Sequence, residues 1–368
     1  MIITQISLYH LRMPLKNPFE TSFGRTIDRE CILVEAVSEG VMGYGECVAD
    51  RDPGYSYETS GTSWYILLEF LIPIILNADL GDAADLQNRM SHVRGHQMAK
   101  AGLEMAFWDM LGKFEGKSLR DLIDGQKDRV PVGVSVGIQA NPQSLLEVVE
   151  DYQQQGYQRV KLKIKPGRDI YDVSLVRKAY PELKLQVDAN SAYDLESALE
   201  LQPLDELELL MIEQPLAEDD LWDHRQLQAK FKTAICLDES IVTPRHARQA
   251  LEMDACRVIN IKPGRVGGIS RAIRIHDLCY GQNIPVWCGG MLETGVGRAA
   301  NLALASLPGF AFPGDISATD RYYEQDITQE RFVLNADSTI SVPDSPGIGI
   351  SIDFQALERF VINKITLA

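Results

Sequence analysis

Short apolar runs, each ending in a carboxylate, recur through the middle of the chain. Three of them lead directly to Asp188, Glu213 and Asp238, which stand 25 residues apart. The amphipathic stretches between these runs are long enough for one helix each, and such alternation of strand and helix is typical of a (β/α) barrel. Because the strand C-termini of such a barrel converge on one mouth, we expect the three carboxylates to lie close together there.

The same alternation extends over most of the chain. The predicted barrel strands lie at residues 130–138, 157–165, 183–187, 207–212, 234–237, 256–261, 284–288 and, for an eighth, near 310–312. The first part of the chain differs, with alternating strands at 2–12, 30–37 and 41–47 and helices at about 60–77 and 97–115. The pattern predicts an α/β protein: a modified (β/α)7β TIM-like barrel over residues 126–329 with an α+β capping domain. The cap is expected to comprise residues 1–125 and to be completed by the C-terminal tail, about residues 330–368.

Lysines flank the acidic strand ends. On the strand before Asp188, Lys161, Lys163 and Lys165 alternate with apolar residues and therefore share one face, and Lys262 follows the strand after Asp238. Three carboxylates in one ring would repel each other unless a cation lay among them, and oxygen ligands alone favour a hard divalent ion. The pattern predicts Mg²⁺, with Mn²⁺ as the alternative. A lysine close to this ion would have a lowered pKa and so could act as a general base.

Composition and charge narrow the classes of function. The chain of 368 residues has 45% hydrophobic and 24% charged residues and a formal charge of −16. This negative charge argues against nucleic acid as a partner, and no apolar stretch is long enough to span a membrane. Six scattered cysteines without a CxxC pair are typical of a reduced protein with free thiols. We therefore expect a cytoplasmic enzyme with a small-molecule substrate.

Six ordered motifs resemble those of the enolase superfamily. They are Val160-Lys-Leu-Lys-Ile-Lys-Pro-Gly167, Gln186-Val-Asp-Ala-Asn190, Ile212-Glu-Gln-Pro215, Cys236-Leu-Asp-Glu-Ser240, Asn260-Ile-Lys-Pro-Gly-Arg-Val-Gly-Gly268 and Trp287-Cys-Gly-Gly-Met-Leu-Glu-Thr-Gly295. The resemblance covers nearly the whole chain and is to the muconate-lactonizing subgroup, which has paired barrel lysines. Within this subgroup the chain is similar to the o-succinylbenzoate synthases, a group that overlaps with the N-acylamino acid racemases.

The resemblance implies a reaction and roles for the motif residues. Asp188, Glu213 and Asp238 would bind Mg²⁺, Lys163 would be the catalytic base, and Lys262 would be the opposing lysine. Lys163 and Lys165 also fit the spacing of the lysine pair, but the register to the flanking glycines favours Lys161 and Lys163. The implied reaction is syn-dehydration of 2-succinyl-6-hydroxy-2,4-cyclohexadiene-1-carboxylate to o-succinylbenzoate, a step of menaquinone biosynthesis. It would pass through an ene-diolate, the type of intermediate that lysine bases and Mg²⁺ handle in this superfamily.

Eight further residues are expected to contact the carboxylate substrate. Two lie in cap segments that would cover the mouth, Phe23 and Tyr55, because the reactive intermediate must be shielded from water. The others lie at barrel strand ends: Lys161, Ser135, Asn190, Gly289, Gly290 and Met291. Each also has an ordinary structural interpretation, such as a helix cap for Asn190 or a tight turn for the two glycines. A homo-oligomer is expected by family analogy.

Other reactions of the same fold remain open. N-acylamino acid racemisation would use Lys163 and Lys262 as two working acid–base groups, and one chain could perform both reactions. Arg265 lies close to Lys262 in sequence and is expected to lower its pKa, which would favour racemisation. A dipeptide epimerase would have an Asp-x-Asp where Asp315-Ile-Ser317 stands, and a mandelate-racemase-like site would have a histidine near Trp287. Muconate cycloisomerase activity and a non-catalytic barrel are the remaining alternatives.

Overall fold

Three sheets organise the chain, which the computed structural model describes from Met1 to Ala368. The strands are β1 (Gln5–Glu20), β2 (Arg25–Ser38), β3 (Val41–Cys47), β4 (Arg129–Pro131), β5 (Val134–Val136), β6 (Arg159–Lys163), β7 (Lys184–Asp188), β8 (Ile212–Glu213), β9 (Ile235–Leu237), β10 (Val258–Ile261), β11 (Val286–Cys288), β12 (Thr339–Ser341) and β13 (Val361–Leu367). The helices are α1 (Ser60–Ile66), α2 (Ile72–Ile75), α3 (Ala83–Met90), α4 (Gln97–Glu115), α5 (Leu119–Leu122), α6 (Pro142–Gln154), α7 (Ile170–Ala179), α8 (Leu195–Leu199), α9 (Leu221–Lys230), α10 (Pro244–Glu252), α11 (Pro263–Val266), α12 (Ile269–Tyr280), α13 (Gly295–Ala305) and α14 (Phe354–Phe360). A π-helical turn, Leu67–Leu71, joins α1 to α2, and 3₁₀ turns lie at Gln202–Glu206 and Thr319–Arg321.

The cap is an antiparallel sheet packed against helices. Its strand order is β13-β1-β2-β3, so the C-terminal tail returns to the cap as predicted. Helix α4 lies across β3, where a Cβ atom on Gly43 or Gly45 would collide with the helix backbone. A core of 23 buried side chains fills the space between the sheet and helices α1 to α4. The domain boundaries at residues 125 and 330 stay a prediction. Strand β12 of the tail pairs with β4 beside the barrel and not with the cap sheet.

The barrel consists of seven parallel strands in the order β5 to β11. The eighth position is occupied by residues 310–315, which have irregular backbone and close the ring through bridges from Phe310 to Val286 and from Gly314 to Val132. Because helices cover the outside and side chains fill the inside, these strands are almost entirely buried. Most of their residues are apolar, but β5, β6, β7 and β10 also carry buried polar side chains, namely Ser135, Arg159, Lys161, Gln186 and Asn260. The predicted barrel with its cap is confirmed.

In the cap, β1 and β2 extend beyond the predicted strands at 2–12 and 30–37, and two of the predicted barrel strands also differ from the structure. The stretch at 130–138 divides into β4 and β5, because β4 pairs with the tail strand β12 while only β5 joins the barrel. The stretch at 207–212 is a strand only at its end, in β8, since the preceding residues complete a 3₁₀ turn and a loop. Apolar composition marked both stretches as buried, but pairing partners decided where each strand begins. No helix in the structure has both the length and the apolar character needed to cross a membrane.

Candidate active site at the barrel mouth

A cavity of about 500 Å³ lies between the cap and the C-terminal ends of the barrel strands. The β1–β2 hairpin and the segment after β3 cover it from the cap side. Among the residues that line it are nine predicted from sequence to act in catalysis or substrate binding, and another aromatic side chain, Phe19. The nine are Phe23, Tyr55, Ser135, Lys161, Lys163, Asn190, Lys262, Gly290 and Met291.

The floor of the cavity is a ring of carboxylates paired with lysines. Lys161 Nζ lies 3.0 Å from Asp188 Oδ2 and 2.9 Å from Glu213 Oε2. Lys163 Nζ donates to Asp188 Oδ2 at 2.7 Å and to Asn190 Oδ1 at 2.6 Å. Alternation along β6 points both lysines to the same face, while Val160 and Leu162 face the other way. The strand register, with Lys163 opposite Asp188 and Asp188 opposite Glu213, brings these groups together as the sequence predicted.

The third carboxylate belongs to a second cluster across the ring. Lys262 Nζ donates to Asp238 Oδ2 at 2.7 Å, and Arg265 Nη1 pairs with Asp238 Oδ1. The phenol of Tyr55 reaches down from the cap, donates to Asp238 Oδ1 at 3.1 Å and accepts from Lys262 Nζ at 3.1 Å. Tyr55 therefore contacts the barrel machinery itself, and the cap and barrel are both needed to build this side of the site.

The two lysines stand on opposite sides of the mouth. Three strands, β7, β8 and β9, separate β6 from β10 in one direction. In the other direction the separation is also three positions: β11, the segment 310–315 and β5. Lys163 at the end of β6 and Lys262 just after β10 therefore approach the cavity from opposite faces. A substrate held between them would present each face to one ammonium or amine group.

Burial and neighbouring charges act differently on these two lysines. Burial lowers the pKa of Lys163, and the positive charge of Lys161 lowers it further, against the opposing charge of Asp188. Burial also lowers the pKa of Lys262, but the phenol of Tyr55 and nearby carboxylates outweigh burial and raise this pKa above its usual value. Lys163 is thus the lysine more readily available as a neutral amine, and Lys262 is held as an ammonium group.

The expected effect of Arg265 on the pKa of Lys262 stays a prediction. The net shift of that pKa is upward, because the phenol of Tyr55 and nearby carboxylates outweigh burial. Arg265 is engaged with Asp238, with Tyr55 Oη at 3.3 Å and with backbone carbonyls. Arg265 and Lys262 share one carboxylate, so the guanidinium competes for the negative charge that stabilises the ammonium group.

Asp315 belongs to the site, although the sequence analysis mentioned it only because Asp315-Ile-Ser317 lacks the Asp-x-Asp of a dipeptide epimerase. Its Oδ1 accepts from Arg159 Nη1 at 2.6 Å, and its Oδ2 lies 2.7 Å from Lys161 Nζ and 3.1 Å from Ser135 Oγ. Burial raises the pKa of Asp315, but the charges of Lys161 and Arg159 outweigh it and hold the pKa well below its usual range. The indole of Trp287 lies 4.9 Å below Lys161 Nζ. Arg159 stands two residues before Lys161 and so shares its face of β6. Two cations on one buried face were the signal in the sequence that a carboxylate counter-ion lies nearby.

Glu239 is a second carboxylate that the sequence analysis did not assign. Its Oε1 accepts from Asn190 Nδ2 at 2.7 Å, whereas its Oε2 is buried and has no hydrogen-bond partner. Burial raises the pKa of Glu239 to about 7, and the charge of Asp188 adds to the shift. Its position directly after Asp238 at a strand end was the signal that could have identified it.

The donor set fits a hard divalent cation. All the candidate ligands are carboxylate oxygens, Glu239 offers an unpartnered buried oxygen, and burial together with the charge of Asp188 raises the pKa of Glu213. A cation would relieve this repulsion. As the side chains stand, no group of three acidic residues is arranged to hold an ion, and Lys161 and Lys163 both contact Asp188.

The remaining predicted residues are placed as follows. Gly289 is not among the residues that line the cavity, and its role in substrate binding stays a prediction. A Cβ atom there would collide with Asn260 and Lys262, so this glycine makes room for the lysine side chain. Lys165 is half-exposed, 3.4 Å from Glu20, and acts as a surface charge. All six cysteines are buried and free.

Comparisons with known proteins agree with this architecture over its full length. Residues 3–124 match the N-terminal domain of the mandelate racemase and muconate lactonizing enzyme family, and residues 144–356 match its enolase C-terminal domain-like partner. The chain is 51% identical to a protein named o-succinylbenzoate synthase from Geobacillus kaustophilus, over 97% of this chain and 96% of that protein. It is 46% identical to a protein named N-succinylamino acid racemase from Thermus thermophilus, over 98% of each.

A solved structure gives the same result at the level of the fold. The crystal structure of an enolase-superfamily member from Listeria innocua superimposes with a TM-score of 0.96 at 43% identity, covering 100% of this chain and 99% of that one. Both the cap and the barrel are included in that superposition. The chain therefore belongs to the enolase superfamily, in the family of mandelate racemase and muconate lactonizing enzyme.

Proposed function

We propose that this protein is an o-succinylbenzoate synthase, a lyase that dehydrates 2-succinyl-6-hydroxy-2,4-cyclohexadiene-1-carboxylate in menaquinone biosynthesis. The observation that carries the proposal is the pair of lysines facing each other across the carboxylate ring, in a chain 44–51% identical to five proteins bearing that name. A lyase of this kind needs one base and one cation on opposite faces of a bound carboxylate, and Lys163 and Lys262 supply them.

Asp188, Glu213 and Asp238 would hold Mg²⁺, or Mn²⁺ in its place. When bound, the ion would draw charge from the substrate carboxylate and make the hydrogen on the adjacent carbon more acidic. Glu239 lies next to Asp238 and would add negative charge to this set. Lys161 faces both Asp188 and the cavity, where it can pair with the substrate carboxylate once it turns from Asp188.

The lysines would perform the proton transfers. Lys163 removes the proton from the carbon next to the carboxylate, which leaves an anion on the substrate. Lys262, held as an ammonium by Asp238 and Tyr55, stabilises this anion from the far face. Lys163 then gives its proton to the departing hydroxyl group on its own face, so one C–H and one C–O bond break, one C=C bond forms, and water leaves. The cap residues Phe19 and Phe23 line the cavity and would limit the access of bulk water to the anion.

N-acylamino acid racemisation is the second candidate, favoured by two relatives named N-succinylamino acid racemase at 46% identity. In that reaction one lysine removes the proton and the other returns one on the opposite face. The same anion serves both reactions, so one chain can catalyse both. The cytoplasmic location, assembly into a homo-oligomer and identity of the metal remain predictions from sequence.

The test is an assay of purified protein, with and without Mg²⁺, on the cyclohexadiene substrate and on N-succinyl amino acids. Metal-dependent dehydration would support the synthase, and racemisation of comparable kcat/KM would support a chain with both activities. Activity on neither substrate in a folded, Mg²⁺-binding protein would refute both proposals. A muconate substrate would then test the cycloisomerase alternative, and a protein that binds no Mg²⁺ would revive the non-catalytic barrel.

A further inference from the structure

Gln214 occupies an unusual position directly after the predicted metal ligand Glu213. The residue is fully buried, and its backbone has a φ of 38°, in the left-handed region that residues other than glycine rarely adopt. Its side-chain oxygen accepts from Asp238 N at 2.9 Å and from Ser240 N at 3.2 Å. Its side-chain nitrogen donates to Leu216 O at 3.0 Å and to Ser240 Oγ at 2.8 Å. The amide group thus uses all four of its hydrogen-bonding positions.

The backbone of Gln214 also joins neighbouring strand ends. Its N–H donates to Cys236 O at 2.8 Å, and its carbonyl accepts from Ser191 N at 2.8 Å. The regular ladder ends one residue earlier, at the pairs formed by Glu213 with Asp188 and with Cys236. Gln214 therefore ties together the ends of β7, β8 and β9, the three strands that carry the three predicted metal ligands.

We propose that Gln214 is a positioning residue that fixes the directions in which Asp238 and Glu239 leave β9. Its oxygen receives the N–H groups on both sides of Glu239, so it sets the backbone turn between Asp238 and Ser240. Asp238 faces Lys262, and Glu239 faces Asn190, which in turn contacts Lys163. The part of this inference that concerns metal affinity rests on the function proposed above, whereas the control of the backbone turn does not.

Gln228 is a matched control at the opposite end of the same strand. It is also buried, its oxygen accepts from Ile235 N at 2.8 Å, and its nitrogen donates to Phe231 O at 3.4 Å and Thr233 O at 3.3 Å. Gln228 fixes the start of β9, far from the mouth, whereas Gln214 fixes its end. Gln214→Met and Gln228→Met remove the same chemical group from two comparable buried sites.

The first measurement is hydrogen exchange of single amides in the metal-free protein. We expect Gln214→Met to accelerate exchange at Asp238 and Ser240 by about tenfold or more while leaving Ile235 unchanged, because only the strand end loses its acceptor. Gln228→Met should do the reverse. Protection at Asp238 that is equal in Gln214→Met and the wild type would overturn the proposal.

The second measurement is the dissociation constant for Mg²⁺ alone. Loss of a group that orients a metal ligand weakens binding by about 10- to 100-fold, so Gln214→Met should fall in this range and Gln228→Met should stay within about threefold of the wild type. Equal weakening in both variants would mean that Gln214 acts only through general stability and would refute the positioning role. A wild-type protein that binds no Mg²⁺ would refute the proposed function, while the amide-exchange result would still decide the role of Gln214.

Gln214→Glu provides a third variant should the methionine variant not fold. Glutamate keeps an oxygen that can accept from Asp238 N and Ser240 N, loses the two N–H donor bonds and places an acidic group next to Glu213. We expect it to retain the wild-type protection at these two amides, since the acceptor is what fixes the turn. Loss of protection in Gln214→Glu to the extent expected for Gln214→Met would contradict the proposal.

Discussion

Replacing Asp315 with asparagine would remove one buried negative charge from between two buried cations. Asp315 lies 2.6 Å from Arg159 Nη1 and 2.7 Å from Lys161 Nζ, and the three side chains are 5%, 0% and 3% exposed. At an effective dielectric constant of about 20, Coulomb's law gives roughly 6 kcal/mol for each contact. The variant leaves the buried Arg159 without its carboxylate partner, while Lys161 keeps Asp188 and Glu213. Removing one partner of a buried ion pair costs about 3–5 kcal/mol. We therefore expect Asp315→Asn to lower the free energy of unfolding by about 3–5 kcal/mol.

Equilibrium unfolding in urea, followed by tryptophan fluorescence, measures this loss, because Trp287 lies against Lys161. The control is Asp121→Asn, in which the carboxylate is 47% exposed and pairs with Arg120 at 3.1 Å. This variant should lose at most about 1 kcal/mol. A loss for Asp315→Asn no larger than that of the control would refute the electrostatic reasoning.

The same variant makes a prediction about pH. The pKa of Asp315 is lowered in the folded protein, so its stabilisation is complete above the unfolded pKa, about 3.9, and is lost as the pH falls below it. The difference in stability between the wild type and Asp315→Asn should therefore be constant from pH 5 to 7 and shrink below about pH 4. A difference that grew on acidification would have the wrong sign for a salt-bridged carboxylate.

Four further predictions concern the lysines, the cap residue Tyr55, Arg265 and the buried carboxyl group of Glu46. If the chain only dehydrates, Lys163→Ala should abolish exchange of the substrate α-proton with solvent deuterium. If the chain also racemises, Lys163→Ala and Lys262→Ala should each retain exchange of one enantiomer. Full dehydration activity in Lys163→Ala would overturn the assignment of Lys163 as the base. Tyr55→Phe removes the phenol that contacts Asp238 and Lys262 and should reduce kcat by about tenfold or more with Mg²⁺ binding nearly unchanged; unaltered kinetics would exclude Tyr55 from the site. Arg265→Gln should reduce racemisation more than dehydration, because Lys262 would then be the sole cation on Asp238 and give up its proton less readily; equal effects on both would refute this. Burial raises the pKa of Glu46 to about 7, so the contribution of this carboxyl group to the free energy of unfolding falls by up to about 3 kcal/mol as the pH rises from about 4.5 to 7. In urea unfolding, Glu46→Gln should therefore show a flatter pH dependence of stability than the wild type across that range.

Regular repetition made the barrel and its carboxylate ring predictable from the sequence. Because the strands of a parallel barrel end at one mouth, the position of Asp188, Glu213 and Asp238 at the ends of apolar runs was enough to place them at the same end of neighbouring strands. Alternation along β6 was likewise enough to place Lys161 and Lys163 on one face, whereas Lys165 is near the surface because it lies beyond the end of the strand. These features depend on local periodicity, which the chain carries in its order of residues.

Contacts between segments that are distant in sequence determined the other features of the site, and no local sequence pattern encodes these contacts. Asp315 lies more than 150 residues from Lys161 and Arg159, and only closure of the barrel through the irregular segment 310–315 makes it their counter-ion. Tyr55 reaches Lys262 because the cap folds over the mouth, 207 residues away in sequence. The division of 130–138 into two strands likewise depended on the returning tail. The sequence by itself determined which stretches are buried and which strand ends carry charge. The tertiary structure decided which charges are neutralised, since a buried ion pair depends on a partner's position in space and not on its distance along the chain.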